Sequence, residues 1–428
     1  MSEALSLPRQ NGSFPQVLPM RERAHVIREA LQERLETILP SAMRETGFDM
    51  WFILCQEDDL DPVLRTMIPM DTWCPILQML IFYDRGRGED VERINISGTN
   101  TGGLYHWPYS GQREEEQWPL LREIVETRDP KRIGINIGAI QWAAGGLTQN
   151  LYTQLVNVLP QKYVDRLASA EPLATRWLAT LTDKEMALYE HVVNVAHSLL
   201  AECYSRKAIT PGVTTTRDLE WYYWQRCADL GLEVAFKPYF YLIRSEAMKA
   251  RFGAEDQVIR PGDFIRSDVG VCYLRLNSDH QEWAYVLRTG ETGAPEDMSR
   301  LMVQANRLQD IFMAEFRQGH TGNELLANIL AHARGEGLPN PRVFSHSLGL
   351  YLHEPGPLIG LPWEQQRCPG RGDVALEYNS CFSMELSVRD QVAEWNGQEF
   401  VMSLEENITF TRDGCHLLDG RQTGFYLI

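Results

Sequence analysis

The chain reads as two unlike domains: an α/β domain over residues 1–178, then an α+β domain over 179–428 with helices gathered on one side of a largely antiparallel sheet. Three observations lead there. At 428 residues the chain exceeds one simple core and suits about two domains. Its first part alternates short apolar runs with helical stretches, as an α/β domain requires. Its second part opens on helix-start signatures and then mixes capped helices with strand-like runs.

The elements follow in order. After a polar start, "MRERAHVIREALQERLETILPSAMRETG" carries helical apolar spacing and ends at Gly47. Strand-like runs come next at "DMWFILC", "ILQMLIFYD", "VERINIS" and "RIGINIG", with a helical stretch at "EEEQWPLLREIVETRD". "NTGGLY" lacks both the spacing and the strand–helix context of a phosphate-binding glycine loop. Thr182 and Glu185 have the spacing of a capping box opening "DKEMALYEHVVNVAHSLLAE", and Thr321 with Glu324 opens "GNELLANILAHARGEG" in the same way. Between them, "TPGVTTTRDLEWYYWQRCADLG" is a helix stopped by Gly231, whose Trp221, Tyr222 and Trp224 are expected in core or interface.

Composition narrows the function classes. With 44% hydrophobic and 23% charged residues, the chain resembles ordinary soluble proteins. A formal net charge of −17 disfavours a nucleic-acid partner, which needs clustered Lys and Arg. The eight cysteines form no C-x-x-C pair, so neither a disulfide framework nor a zinc ribbon is expected. No signal-peptide pattern or apolar run long enough to span a membrane is visible, and the expected setting is the reducing cytoplasm.

Candidate chemistry lies in the second domain. "RSDVGVCYLRLNSDH" places Asp268 and Asp279 in a strand-like stretch, eleven residues apart. A straight strand would separate them by about 36 Å, so they share a site only if the chain folds back, and Gly270 with "RLNSD" permits a bend. Taken alone, each aspartate is an ordinary turn or cap residue. "SHSLGLYLHEPGP" carries His346 and His353, seven apart, with Gly349 and two prolines favouring strand or loop over helix. Glu385 interrupts the apolar run "CFSMELSV", where a buried carboxylate needs a cation or strong donors. In "FVMSLEENITFT", alternation sends one of Glu405 and Glu406 inward and the other to water, without saying which. Several acids and one imidazole suit manganese, iron or cobalt, with zinc also possible, and a pair of divalent ions would explain carboxylates on apolar strands.

The order of these residues resembles the pita-bread metallopeptidases, the family of methionine aminopeptidase, aminopeptidase P, prolidase and creatinase. The likeness covers residues 180–428, and the α/β domain before it resembles the creatinase/prolidase N-terminal domain. The resemblance implies a metal shell of Asp268, Asp279, His346, Glu385 and Glu405, the last chosen because Thr411 stands six residues beyond it. It implies two divalent metal ions, Mn2+ first and Fe2+, Co2+ or Zn2+ as alternatives. By the same resemblance Glu385 shuttles a proton, and His353 binds substrate and stabilises the oxyanion. A peptide substrate and a homodimer are further implications.

Departures from the family pattern concern the pocket. Arg251 replaces a histidine seventeen before the first ligand, and could bind a substrate carboxylate or form a surface ion pair. "RLNSDHQEW" and "ELS" replace the family's usual surroundings of its ligands, and Ser403 stands where proline-specific members carry arginine. The expected activity is metal-dependent hydrolysis of a small peptide or peptide-like amide, with Xaa-Pro peptides foremost. A creatinase-like hydrolase or lyase acting on a non-peptide molecule and a catalytically silent binding homologue are the alternatives.

Overall fold

The computed structural model describes residues 14–86, 88–109, 113–140 and 142–428. They divide into two compact units: Leu18–Lys184, and Glu185–Ile428 with the described residues before Leu18.

The first unit opens with α1 (Met20–Thr46), which stops where Gly47 turns into the left-handed region at φ 72° and returns its N–H to Met43. Five strands follow: β1 (Met50–Gln56), β2 (Leu77–Asp84), β3 (Val91–Asn95), β4 (Ile133–Ile135) and β5 (Leu167–Ser169). Their order is β3-β2-β1-β4-β5, antiparallel on one side of β1 and parallel on the other. Being central, β1 is buried on both faces, which is why "MWFILC" reads as an unbroken apolar run. Met50, Phe52 and Leu54 pack with Leu121 and Val125 of α2 (Gln117–Arg128) and with Leu151 and Leu155 of α3 (Gln149–Val158).

The second unit is built on two long antiparallel strands, β6 (Ser380–Val392) and β7 (Gln398–Thr411), in continuous register from Ser380↔Phe410 to Val392↔Gln398. Their even-numbered residues Phe382, Met384, Leu386, Met402, Leu404 and Ile408 join one core with α4 (Glu296–Ala314) and α5 (Gly322–Gly335). The odd-numbered Ser383, Glu385, Ser403, Glu405 and Asn407 therefore share the opposite, polar face. Thr321 and Glu324 form the expected capping box, and Thr215 with Asp218 forms another at the start of the helix Thr216–Asp229. Trp221 and Trp224 depart from a core placement: they are 58% and 41% exposed and stack on each other at 5.8 Å. No helix among the described residues is long and apolar enough to cross a membrane.

Candidate metal centre

The two aspartates meet through a hairpin. Phe264–Asp268 and Val271–Tyr273 lead into a reversal at Leu274 and Arg275, both at positive φ (54° and 66°), and Leu276–Asn277 pairs back. The reversal thus falls past Gly270, on two residues with no turn signature. In this register Val269 faces His280 and Cys272 faces Asn277, so each pair of numbers sums to an odd total. Asp268 and Asp279, an odd distance apart, then project from one face as diagonal neighbours. Gly270 faces Asp279, and a Cβ built on it would lie 2.0 Å from the Ser278 carbonyl oxygen. That close approach requires glycine.

The returning chain runs straight on to β7. Gln281 exchanges backbone hydrogen bonds with Glu405, and the Asn407 side chain clamps Asp279, accepting from its N–H at 3.2 Å and donating to its carbonyl at 2.7 Å. Glu385 and Glu405 are direct cross-strand partners. His346 lies on the strand Ser345–Leu348 opposite Ser383, two residues before Glu385, so its ring reaches the same face. Donor atoms of Asp268, Asp279 and Glu405 lie within 4.8 Å of one another, as do those of His346, Glu385 and Glu405, and those of Asp279, His346 and His353. All five sequence-predicted ligands therefore join one cluster, with His353 beside it, its ring 4.4 Å from that of His346.

The electrostatics call for a cation. Burial, then the charge of Asp279, pushes Asp268 up to about 7, and burial holds Asp279 at about 7. Burial and both aspartates take Glu385 to about 8, while Glu405 is driven well above the ordinary carboxylate range by burial and its acidic neighbours. Four carboxylates crowded this closely resist ionising together unless positive charge joins them. Burial lowers His346 to about 4, leaving the neutral ring a metal needs. Its Nδ1 lies 3.1 Å from the Ser347 carbonyl oxygen, which fixes the tautomer and leaves Nε2, 3.5 Å from Asp279 Oδ2, free to ligate. Gln281 Nε2 donates to Glu385 at 2.6 Å and Ser383 Oγ donates to Glu405, orienting both glutamates. The residues present fit a pair of divalent ions in donor type, count and charge.

Arg251 has a different setting. It lies exposed in the last turn of the helix Glu246–Phe252, its guanidinium over the Phe252 ring at 4.9 Å. The guanidinium whose charge acts on Asp268 and Glu385 is that of Arg266. It donates to Ser403 Oγ at 3.3 Å and lies 4.8 Å over the Tyr241 ring. Sequence reasoning passed over Arg266, although its place two residues before Asp268 on the same strand face was a usable signal. It also sent one of Glu405 and Glu406 to water; neither goes there, at 1% and 0% exposure. Glu406 points to the reverse face, where His197 meets it with Nε2 at 3.2 Å from Oε2.

The model of metallopeptidase family M24 matches residues 187–412, more than half of the chain. The chain belongs to this family, and its second unit is the pita-bread fold. Among solved structures, the X-Pro aminopeptidase from Thermotoga maritima MSB8 is similar at TM-score 0.64 and 16% identity, over 91% of this chain and 100% of that one. The Xaa-Pro dipeptidase from Bacillus anthracis matches at 0.58 and 15%, over 95% and 99%. The prolidase from Pyrococcus furiosus matches at 0.57 and 15%, over 90% and 100%. These alignments extend over the first unit as well, giving it the creatinase/prolidase-type N-terminal fold. No curated protein sequence matches the chain.

Proposed function

We propose that this chain is a dinuclear metal-dependent peptidase acting on small peptides with proline after the scissile bond. The observation that carries the reading is the single buried face on which four carboxylates, three held at about 7 to 8, surround a neutral imidazole. Asp268, Asp279, His346, Glu385 and Glu405 would hold the ions, manganese first. When bound, the ions acidify water towards neutrality and polarise the scissile carbonyl. Glu385, oriented by Gln281, takes a proton from the attacking water and passes it to the leaving nitrogen. His353, lowered to about 4 by burial and by His346, is neutral at pH 7 and donates an N–H to the developing oxyanion. The eight unbridged cysteines suit a reducing compartment, and we place a homodimeric enzyme in the cytoplasm.

A second reading, a creatinase-like hydrolase or lyase of a non-peptide anion, is favoured by Arg266. Its guanidinium beside Ser403 offers a planar carboxylate anchor on the metal side of the sheet. Arg251 remains a candidate for the same role. A panel of Xaa-Pro dipeptides, Xaa-Pro tripeptides and proline-free amides, given to the manganese-loaded protein, separates the readings. Turnover of proline peptides, abolished in Glu385→Gln, is the expected result. Turnover confined to proline-free amides would replace the first reading with the second.

A further inference from the structure

The odd-total register that collects the metal ligands on one face of the hairpin sends His280 and Glu282 to the other, and Glu406 lies on the reverse of β7 by the same alternation. There they meet His197 of the helix Asp183–Cys203. Ligating atoms of His197, His280 and Glu406 lie within 4.8 Å of one another, and Glu282 Oε1 is 3.6 Å from His197 Nε2. We propose that this buried cluster is a metal site separate from the face of Asp268 and Glu405, in which His197, His280, Glu282 and Glu406 ligate one zinc-class divalent ion.

The surroundings of His197 resemble those of a supported metal ligand. Its Nδ1 lies 2.9 Å from Asp419 Oδ2, and Asn194 Nδ2 donates to the other Asp419 oxygen at 3.0 Å. A carboxylate only accepts, so Nδ1 bears the proton. Nε2 in turn lies 3.2 Å from Glu406 Oε2 and 3.6 Å from Glu282 Oε1, so without a metal it carries a proton too, and a bound ion would take that proton's place. The carboxylate–imidazole pair of Asp419 and His197 is the usual support behind a metal-bound histidine. The backbone N–H of Gln422 donates to Glu406 Oε1 at 2.7 Å, leaving Oε2 for the ion.

Protonating His197 a second time would answer only part of this. His280 is 1% exposed, neither ring nitrogen has a hydrogen-bond partner, and its ring lies 4.5 Å from that of His197. The Glu282 carboxylate has the Tyr426 hydroxyl beside it as a hydrogen-bond donor, so His280 is the group left unpartnered here. Orphaned buried polar atoms are rare, and a ligating nitrogen of His280 lies within 4.8 Å of ligating atoms of His197 and Glu406. A divalent ion gives one His280 nitrogen a partner and offsets two of the three negative charges of Glu282, Glu406 and Asp419. Two imidazoles and two carboxylates suit zinc, and a set exposed by no more than 6% leaves no open coordination position, the mark of a structural site. Its effect would be to pin the segment whose other face carries Asp279.

The test uses the full chain loaded with zinc(II) and crystallised, with anomalous difference maps recorded at the zinc edge. The expected result is a peak between His197 Nε2 and Glu406 Oε2, resolved from any on the face of Asp268 and Glu405. In solution, His346→Ala/Glu385→Gln disables that other face and should retain one tightly held zinc per chain, lost on adding His280→Asn. Zinc-loaded crystals without density at His197 and Glu406 would overturn the proposal. So would unchanged zinc content on adding His280→Asn. Should that variant fail to fold, the map of the unaltered chain decides alone.

Discussion

Gly270→Ala probes the hairpin that makes the site. The added Cβ would sit 2.0 Å from the Ser278 carbonyl oxygen and 3.1 Å from both Ala235 Cβ and Phe236 Cε1. Comfortable contact needs about 3.5 Å, so the backbone at Ser278 must retreat by roughly 1.5 Å. Ser278 immediately precedes Asp279, whose main chain Asn407 clamps on both sides. The retreat therefore strains that clamp and displaces a metal ligand. Overpacking of this kind costs about 1–3 kcal/mol, and misplacing a catalytic array by about 1 Å costs roughly 100-fold in rate. Urea titration followed by tryptophan fluorescence, with metal content and turnover measured in parallel, should show all three losses. Gly293→Ala is the control: its Cβ meets nothing within 4 Å, and its stability should stay within about 0.5 kcal/mol of the parent. A Gly270→Ala protein with the parent's urea midpoint and metal content would refute the close-approach argument.

Other outcomes follow from the same geometry. In metal-free protein the folded carboxyls at about 7 to 8 hold protons that unfolded carboxyls, near 4, have already released, so stability should fall as pH rises across that window. Manganese requires ionised acids and should reverse the trend, which Tm profiles with and without EDTA will show. His353→Ala should lower kcat by about 100-fold or more while leaving metal content unchanged, as loss of an oxyanion donor does. Asp263→Ala removes one of two carboxylate partners of the buried Arg244 guanidinium, held at 2.7 Å through two nitrogens on the turn into the strand of Asp268, and with Asp256 still paired at 2.9 Å should cost about 1.5–3 kcal/mol by denaturant titration.

The sequence was most informative where chemistry and periodicity coincide. The helix stop at Gly47 and the capping box at Thr321 could be read directly, because each depends on local residue type and spacing, whereas the five candidate ligands were picked out by their resemblance to the family's residue order. The reversal at Leu274–Arg275 could not, since neither residue favours positive φ and only the surrounding ladder holds them there. The reverse-face cluster escaped for another reason. His197 looks like one polar residue on an amphipathic helix, and its partners come from three distant segments that only tertiary structure unites. Alternation alone separates Glu405 from Glu406, but it could not reveal that an imidazole replaces water on the second side.

The central claim is that five side chains on one face hold two ions. Manganese-loaded crystals of the full chain, mapped by anomalous scattering, test it most directly. The account predicts two peaks about 3.5–4 Å apart, enclosed by Asp268, Asp279, His346, Glu385 and Glu405 and lost in Asp279→Asn. Manganese-loaded crystals with no density on that face, or with a single ion unaffected by Asp279→Asn, would contradict it.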